Sequence, residues 1–369
     1  MNHNEIIYQI FVRNYSKNGT FDEVTKDLKR IKDLGTTIIY LMPIHEIGIK
    51  GRKGTYGSPY AIKDYFSISK DLGTLEDFKR LIDKTHKMGM RIIIDMVFNH
   101  TAKDSVLLKD HEDFYFHKDG KLCNRVGEWS DIIDLDYKNP NTQTYLLEVL
   151  KYWVDVGVDG FRFDVASMIP LSFFKEARKQ LGKDVIFFGE SIDPWFSDYL
   201  KTIGDNPTPD EKMYPTFDFL YNYNYFADML KYFRGECKLK PIVEVLNKDG
   251  ANLRALCLEN HDNERISKTL SESRLEKMLD FFAFIKGNVF IYAGQEYGAK
   301  HKPELFEKDP VDWSHKNEKA FSLYQRYIEA KKDQKEIMDQ SFVLVEKDII
   351  EVTVTYKDNK KERRSFSLN

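Results

Sequence analysis

Cysteine is scarce in this chain: three in 369 residues, Cys123, Cys237 and Cys257, widely separated and without metal-ligand spacing. So sparse and odd a count excludes a disulfide framework or a zinc cluster and fits a reducing compartment. Long apolar runs are also missing, and none approaches the roughly 20 residues that a membrane helix requires. The opening Met1-Asn-His-Asn-Glu-Ile-Ile-Tyr8 has no basic segment followed by an apolar stretch. No secretory signal is visible, and the cytoplasm is the expected location. Nor does one sign of charge dominate, since 56 basic residues face 59 acidic ones for a net −3. That balance argues against nucleic acid or a membrane as partner. Finally, no glycine-rich phosphate fingerprint follows the first strand-like run, which weighs against a doubly wound nucleotide-binding sheet.

What is present is an alternation of short β-rich runs with amphipathic segments. Ile6–Phe11 reads as a strand, Phe21–Leu34 as a helix, Thr37–Leu41 as a strand, and Leu75–Met88 as a helix started by Thr74-Leu-Glu-Asp77. Arg91–Phe98 is the third strand. A polar, irregular stretch from Thr101 to Pro140 interrupts the pattern, which resumes with helix Thr142–Val156, strand Asp159–Asp164, helix Leu171–Leu181 and strand Val185–Glu190. Met213–Phe217 is the expected sixth strand, Asn252–Asn260 the seventh and Val289–Tyr292 the eighth, with helices at Leu275–Lys286 and Ala320–Lys332. Eight such repeats predict an α/β fold, a (β/α)8 TIM barrel, with its working loops at the C-terminal ends of the strands. The expected organisation is barrel over 1–100, an inserted subdomain over 101–140, barrel again over 141–338, and a short β region over 339–369.

Three carboxylates stand at the ends of apolar strand-like runs: Asp164, Glu190 and Asp262. Gathering three at one end of a parallel sheet makes sense where protons and negative charge are used, and a carboxylic acid beside a carboxylate is the chemistry of glycosidic bond cleavage. Period-two parity puts Arg162 and Asp164 inside the barrel and Phe161 and Phe163 against the helices. On that segment alone a buried ion pair explains the spacing equally well, but the recurrence at Glu190 and Asp262 favours a site. His100 leaves the third strand and His261 precedes Asp262; neutral imidazoles there would donate hydrogen bonds to hydroxyl groups. Aromatic residues make up 14% of the chain. Most fill a core, although ring faces also stack on sugars.

Four segments carry a family resemblance. Asp95-Met-Val-Phe-Asn-His100, Gly160-Phe-Arg-Phe-Asp164-Val-Ala, Phe188-Gly-Glu190-Ser and Glu259-Asn-His-Asp262-Asn resemble, in order and strand placement, the four blocks of glycoside hydrolase family 13, the α-amylase family. Ile7-Tyr-Gln-Ile, Pro59-Tyr-Ala-Ile-Lys-Asp-Tyr65, Gly294-Gln-Glu296 and Asp309-Pro-Val-Asp-Trp313 extend the likeness over most of the barrel. The resemblance implies a nucleophile at Asp164, a general acid/base at Glu190 and a transition-state contact at Asp262. It further implies that Arg162 keeps Asp164 ionised, that Asp95 supports Arg162, and that Tyr60, His100 and His261 line the subsite of the sugar whose bond breaks.

Several positions depart from the family pattern. Ser167-Met168 stands where Lys-His is usual, Val165 follows the nucleophile position as in neopullulanase-like members, and the insert and tail are short. Asn99 and Asp134 match two calcium-ligand positions, but no cofactor is required and a structural calcium is not favoured; no metal ligands are assigned. The Gly48–Pro59 stretch is either a solvated loop or a rim whose Arg52 and Lys53 fold over the sugar. The expected activity is retaining hydrolysis of α-1,4 bonds in malto-oligosaccharides or starch-type α-glucans, in an open groove that cuts within longer chains. The alternatives are an α-1,6-acting oligosaccharide glucosidase, a transglycosylase, or an inactive carbohydrate-binding relative. The substrate is the only partner expected, and oligomeric state is left open.

Overall fold

Strand parity builds the molecule from the inside out. In β4 (Gly160–Phe163) every residue is buried, and alternate side chains point to opposite faces. Phe163 packs outward against Phe174, with ring centroids 4.9 Å apart, while Arg162 points into the barrel. The remaining barrel strands are β1 (Ile6–Ile10), β2 (Ile38–Leu41), β3 (Arg91–Met96), β5 (Ile186–Gly189), β6 (Phe219–Tyr221), β7 (Arg254–Leu256) and β8 (Asn288–Tyr292). All neighbours pair in parallel, and β1 against β8 closes the ring. This computed structural model describes residues 4–250 and 252–369; positions 1–3 and 251 of the two expected barrel segments lie outside it.

Inside the barrel, Ile7, Ile38, Tyr40, Ile93, Ile186, Phe188, Phe219, Tyr221 and Phe290 form one apolar cluster. The larger cluster lies between strands and helices and includes Leu28, Ile31, Leu81, Trp153, Phe174 and Phe281. Burying each such side chain contributes about 1.5–3 kcal/mol. The helix Leu75–Lys87 begins as its sequence predicts: Thr74 accepts from the Asp77 N–H while the Asp77 carboxylate accepts from the Thr74 N–H.

The sixth strand is not where its sequence suggested. Met213 ends a short helix, Asp210–Met213, and the strand is the three-residue run Phe219–Tyr221. Pro215 breaks the expected segment, and Asp218 anchors the true strand through its carboxylate, which accepts from the Phe187 N–H at 2.7 Å. The seventh strand is also shorter than expected, Arg254–Leu256, so Asp262 sits six residues beyond it on a loop.

Between β3 and the next barrel helix, Pro140–Val156, the chain makes small antiparallel pairings, His100–Ala102 with Ile132–Asp134 and His117–Lys118 with Lys121–Leu122. The tail is a three-stranded antiparallel sheet, β9 (Ile337–Glu346), β10 (Ile349–Tyr356) and β11 (Lys361–Ser367). Its Phe366 ring packs 5.6 Å from Phe281 and 5.4 Å from Phe284, which fastens the sheet to the barrel helices. Among the described residues no helix is long and apolar enough to cross a membrane.

Candidate active site

One guanidinium organises the mouth of the barrel. Arg162 is fully buried and its Nη1 donates to both oxygens of Asp95 at 2.9 Å and to Asp164 Oδ1 at 3.0 Å. Its Nη2 approaches Glu190 Oε1 at 2.7 Å as an ion pair without hydrogen-bond alignment. The resemblance gave Arg162 to Asp164 and Asp95; the structure spreads it over three carboxylates. Burial opposes the guanidinium charge, but Asp95 and Glu190 outweigh it and Arg162 stays protonated. Tyr40 and Tyr60 also donate to Asp95 Oδ2, Tyr60 at 3.0 Å.

Asp164 and Glu190 are both nearly enclosed. Burial pushes the Glu190 carboxyl up to about 7 against the pull of Arg162, and the Asp262 carboxylate adds to the rise. For Asp164 the expectation of a firmly ionised group is corrected. Burial and then the Glu190 charge push it well up, and Arg162 offsets them only in part. Two carboxyls in this situation titrate as a coupled pair, with apparent values that belong to the pair. Asp262 differs from both: its side chain is 51% exposed.

Val165, next to Asp164, has φ 37° and ψ 45°. A β-branched residue in the left-handed region costs on the order of 1–3 kcal/mol and persists where neighbours impose it. Here the turn aims the Val165 N–H at Glu190 Oε2, 2.7 Å away. The strained residue therefore ties the two carboxyl-bearing strand ends together.

The expected imidazoles converge on the same place. His261 Nδ1 accepts from the Gln9 amide at 2.9 Å, which leaves the proton on Nε2, facing the Tyr60 hydroxyl at 2.6 Å and Asp262 at 3.1 Å. Burial lowers the His261 pKa and brings His100 down to about 4, so both rings are neutral at pH 7. Tyr60 stacks on His261 with centroids 5.2 Å apart. His100 lies 5.6 Å from the Trp129 ring.

These groups open into a cleft with two adjoining lobes. One, about 430 Å³, is lined by Glu190, Asp262, Trp129, Trp195, Phe196, Tyr199 and Tyr223 among others. The other, about 350 Å³, holds Asp164, Tyr60, His100 and His261 together with Lys53, Asp131, Leu305 and Phe306. Glu190, Val165, Asp262 and Trp129 line both. Sequence reasoning missed the aromatic wall of the first lobe. Its signal was Trp195-Phe196 and Tyr199, directly after Glu190, on a helix (Pro194–Thr202) that leaves Trp195 67% exposed. Asp131 was missed as well, being one acid in a polar insert.

Of the two suspected calcium-ligand positions, Asp134 already faces a cation. Asp134 Oδ2 accepts from the Arg125 N–H at 2.8 Å and from its Nη1 at 3.1 Å, and the Asn99 amide faces His100 Nδ1 at 3.1 Å. The Arg125 guanidinium is itself held over the Phe116 ring at 4.4 Å. A dication beside it would be repelled. Asp134 Oδ1 is left without a partner, whereas calcium takes about 6–8 oxygens.

Carboxyls gathered at the C-terminal mouth of a parallel barrel, around one buried arginine and an aromatic cleft, define a glycoside hydrolase. The family is settled by comparison: the chain belongs to the alpha-amylase family, whose catalytic-domain model matches residues 6–362. An alpha-amylase crystal structure from Lactobacillus plantarum is 40% identical, with TM-score 0.90 over 95% of this chain and 86% of that one. A noncanonic maltogenic alpha-amylase from Thermotoga neapolitana is 31% identical, with TM-score 0.86 over 99% and 86%. Alpha-amylase 3 of Dictyoglomus thermophilum is 26% identical over 87% of this chain and 70% of its own length. Across other curated relatives it matches, the chain spans from 72% down to 45% of their length.

Proposed function

We propose that this enzyme is a retaining hydrolase of α-1,4 bonds in malto-oligosaccharides. The observation that carries the reading is that Asp164 and Glu190 share Arg162 across the junction of the two lobes. In a double displacement, Asp164 attacks the anomeric carbon while Glu190 gives its proton to the departing glycosidic oxygen. The resulting glycosyl ester is hydrolysed by a water that Glu190, now ionised, deprotonates. Configuration is retained because inversion occurs twice.

This reading gives the two sides of the cleft different roles. Asp164 must meet the anomeric carbon, so the lobe that contains it holds the sugar being transferred. Glu190 lines both lobes, as a group that protonates the oxygen between two sugars has to. The aromatic lobe then receives the leaving chain. Glu190 Oε1, facing Nη2 without an aligned hydrogen bond, is the oxygen free to carry the proton once that ion pair is released. His100, His261 and exposed Asp262 supply hydrogen bonds to the hydroxyls of the distorted ring, and Tyr60, held by His261 and Asp95, presents its face to that ring. No calcium enters this account, since Arg125 neutralises Asp134.

The names of two solved relatives, an alpha-amylase and a maltogenic alpha-amylase, support the α-1,4 reading. A cytoplasmic location suits Cys123, Cys237 and Cys257, all without disulfides. Product analysis on maltoheptaose, isomaltose and pullulan tests the linkage. Short linear products from maltoheptaose with isomaltose untouched are expected; faster release from isomaltose would transfer the assignment to α-1,6 bonds.

A further inference from the structure

The lobe that contains Asp164 is bordered by residues that do not reach the leaving-group side. Three separate segments meet there: the loop 48–61, Asp131 of the insert, and Leu305-Phe306 after β8. Lys53 Nζ pairs with Asp131 Oδ1 at 3.1 Å, and Asp131 is nearly buried while Lys53 stays about one-third exposed. The same ammonium lies 5.9 Å from the centre of the Phe306 ring. Neither Lys53 nor Asp131 nor Phe306 lines the leaving-group lobe.

The loop that carries Lys53 is fastened along its length. The Tyr56 N–H donates to the Phe306 carbonyl at 3.0 Å and the Thr55 N–H to Glu307 Oε1 at 2.8 Å. Arg13 Nη1 bridges the Gly57 and Leu305 carbonyls at 3.0 and 3.2 Å. Gly54, at φ +62°, lets the two loops touch: a Cβ there would stand 2.7 Å from Phe306 Cβ. Arg52 turns back on its own loop, donating to the Gly48 and Thr55 carbonyls. The loop is therefore held in place along its length, and it sets Lys53 at the border of the lobe that contains Asp164.

We infer that Lys53, latched to Asp131, determines chain-end action: the pocket admits only the non-reducing end of a malto-oligosaccharide, and short units of glucose or maltose are released. This rests on the hydrolase reading above and deepens it. Paired Lys53 still has two N–H donors beyond the one on Asp131, and it lines the lobe where the hydroxyls of a terminal sugar would lie. A chain continuing past that sugar meets the Lys53–Asp131 pair and the Phe306 ring. The leaving-group lobe is lined by Trp195 and Tyr199, along which the remaining chain would run.

The experiment compares 4-nitrophenyl α-maltoheptaoside with the same compound blocked by a 4,6-ethylidene group at its non-reducing end. The wild-type enzyme is expected to show kcat/KM at least tenfold higher for the free than for the blocked substrate. Lys53→Ala, which opens the wall, should narrow that ratio severalfold or more, while Lys53→Met, which keeps the bulk without the charge, should mainly raise KM for the free substrate. Equal wild-type rates on both substrates, or a ratio unchanged in Lys53→Ala, would overturn the assignment. The wild-type ratio decides the matter even where a variant fails to fold. Absence of turnover on both substrates would instead overturn the hydrolase reading on which it stands.

Discussion

Glu190→Gln keeps the shape of the side chain and removes its charge, so it separates what the carboxyl does for catalysis from what it costs the fold. In the folded enzyme this group titrates at about 7, against an ordinary value of 4.5. A folded state that holds its proton more tightly than the unfolded chain loses stability as pH rises between those two values, and the loss is complete above the folded value. At 1.36 kcal/mol per pH unit the gap corresponds to about 3 kcal/mol. Because Asp164 competes for the same proton, only part of that belongs to Glu190 alone, and a gain of about 1–3 kcal/mol is expected for the Gln variant at pH 8. At pH 4 both forms are neutral at this position and the gain disappears. Guanidinium unfolding of the two proteins at both pH values reads this directly: a variant with crippled turnover, a higher midpoint at pH 8, and no difference at pH 4. Equal differences at the two pH values, or a less stable variant at pH 8, would mean that Arg162 compensates the buried charge fully and that the proton is not held there.

Three other outcomes follow from the same geometry. With kcat/KM measured against pH, activity on maltoheptaose should fall tenfold per unit above about pH 7 as the Glu190 proton is lost; a plateau extending to pH 9 would contradict it. Asp164→Asn should remove essentially all turnover while thermal unfolding and maltoheptaose binding persist, and near-normal activity would place the nucleophile elsewhere. Chelation by EDTA should leave Tm unchanged, whereas Arg125→Met, which strands the nearly buried Asp134 carboxylate, should cost about 3 kcal/mol; a Tm drop on chelation would reinstate a metal at that place.

Much of this architecture was legible because burial leaves simple patterns. β3, β4, β5 and β8 are apolar runs bounded by polar residues, and the alternation of Arg162 and Asp164 with Phe161 and Phe163 is strand periodicity read straight off the chain. β6 was illegible for the opposite reason. Three residues, Phe219-Leu-Tyr221, are too few to show a period, and Met213–Phe217 mimicked a strand with apolar residues that bury from a helix end and a turn. The carboxyl positions were readable because each follows a strand or its loop. The pull of Arg162 on Glu190 was not, since it depends on the register that sets Arg162 opposite Asp95 and Phe188 across two neighbouring strands. The strained Val165 turn and the Lys53–Asp131 latch were likewise hidden, because both join residues whose partners are fixed only when loops from different barrel segments meet.

The central claim is a double displacement through Asp164, and the anomeric form of the first product tests it most directly. Proton NMR of maltoheptaose hydrolysis, followed from the first minutes before mutarotation, should show the α-anomeric signal of the newly formed reducing end rising ahead of the β signal. Retaining enzymes place their two carboxyls about 5–5.5 Å apart and inverting ones about 6.5–9.5 Å. Initial appearance of the β-anomer would mean that water attacks the anomeric carbon directly, and the shared-arginine account of Asp164 and Glu190 would be wrong.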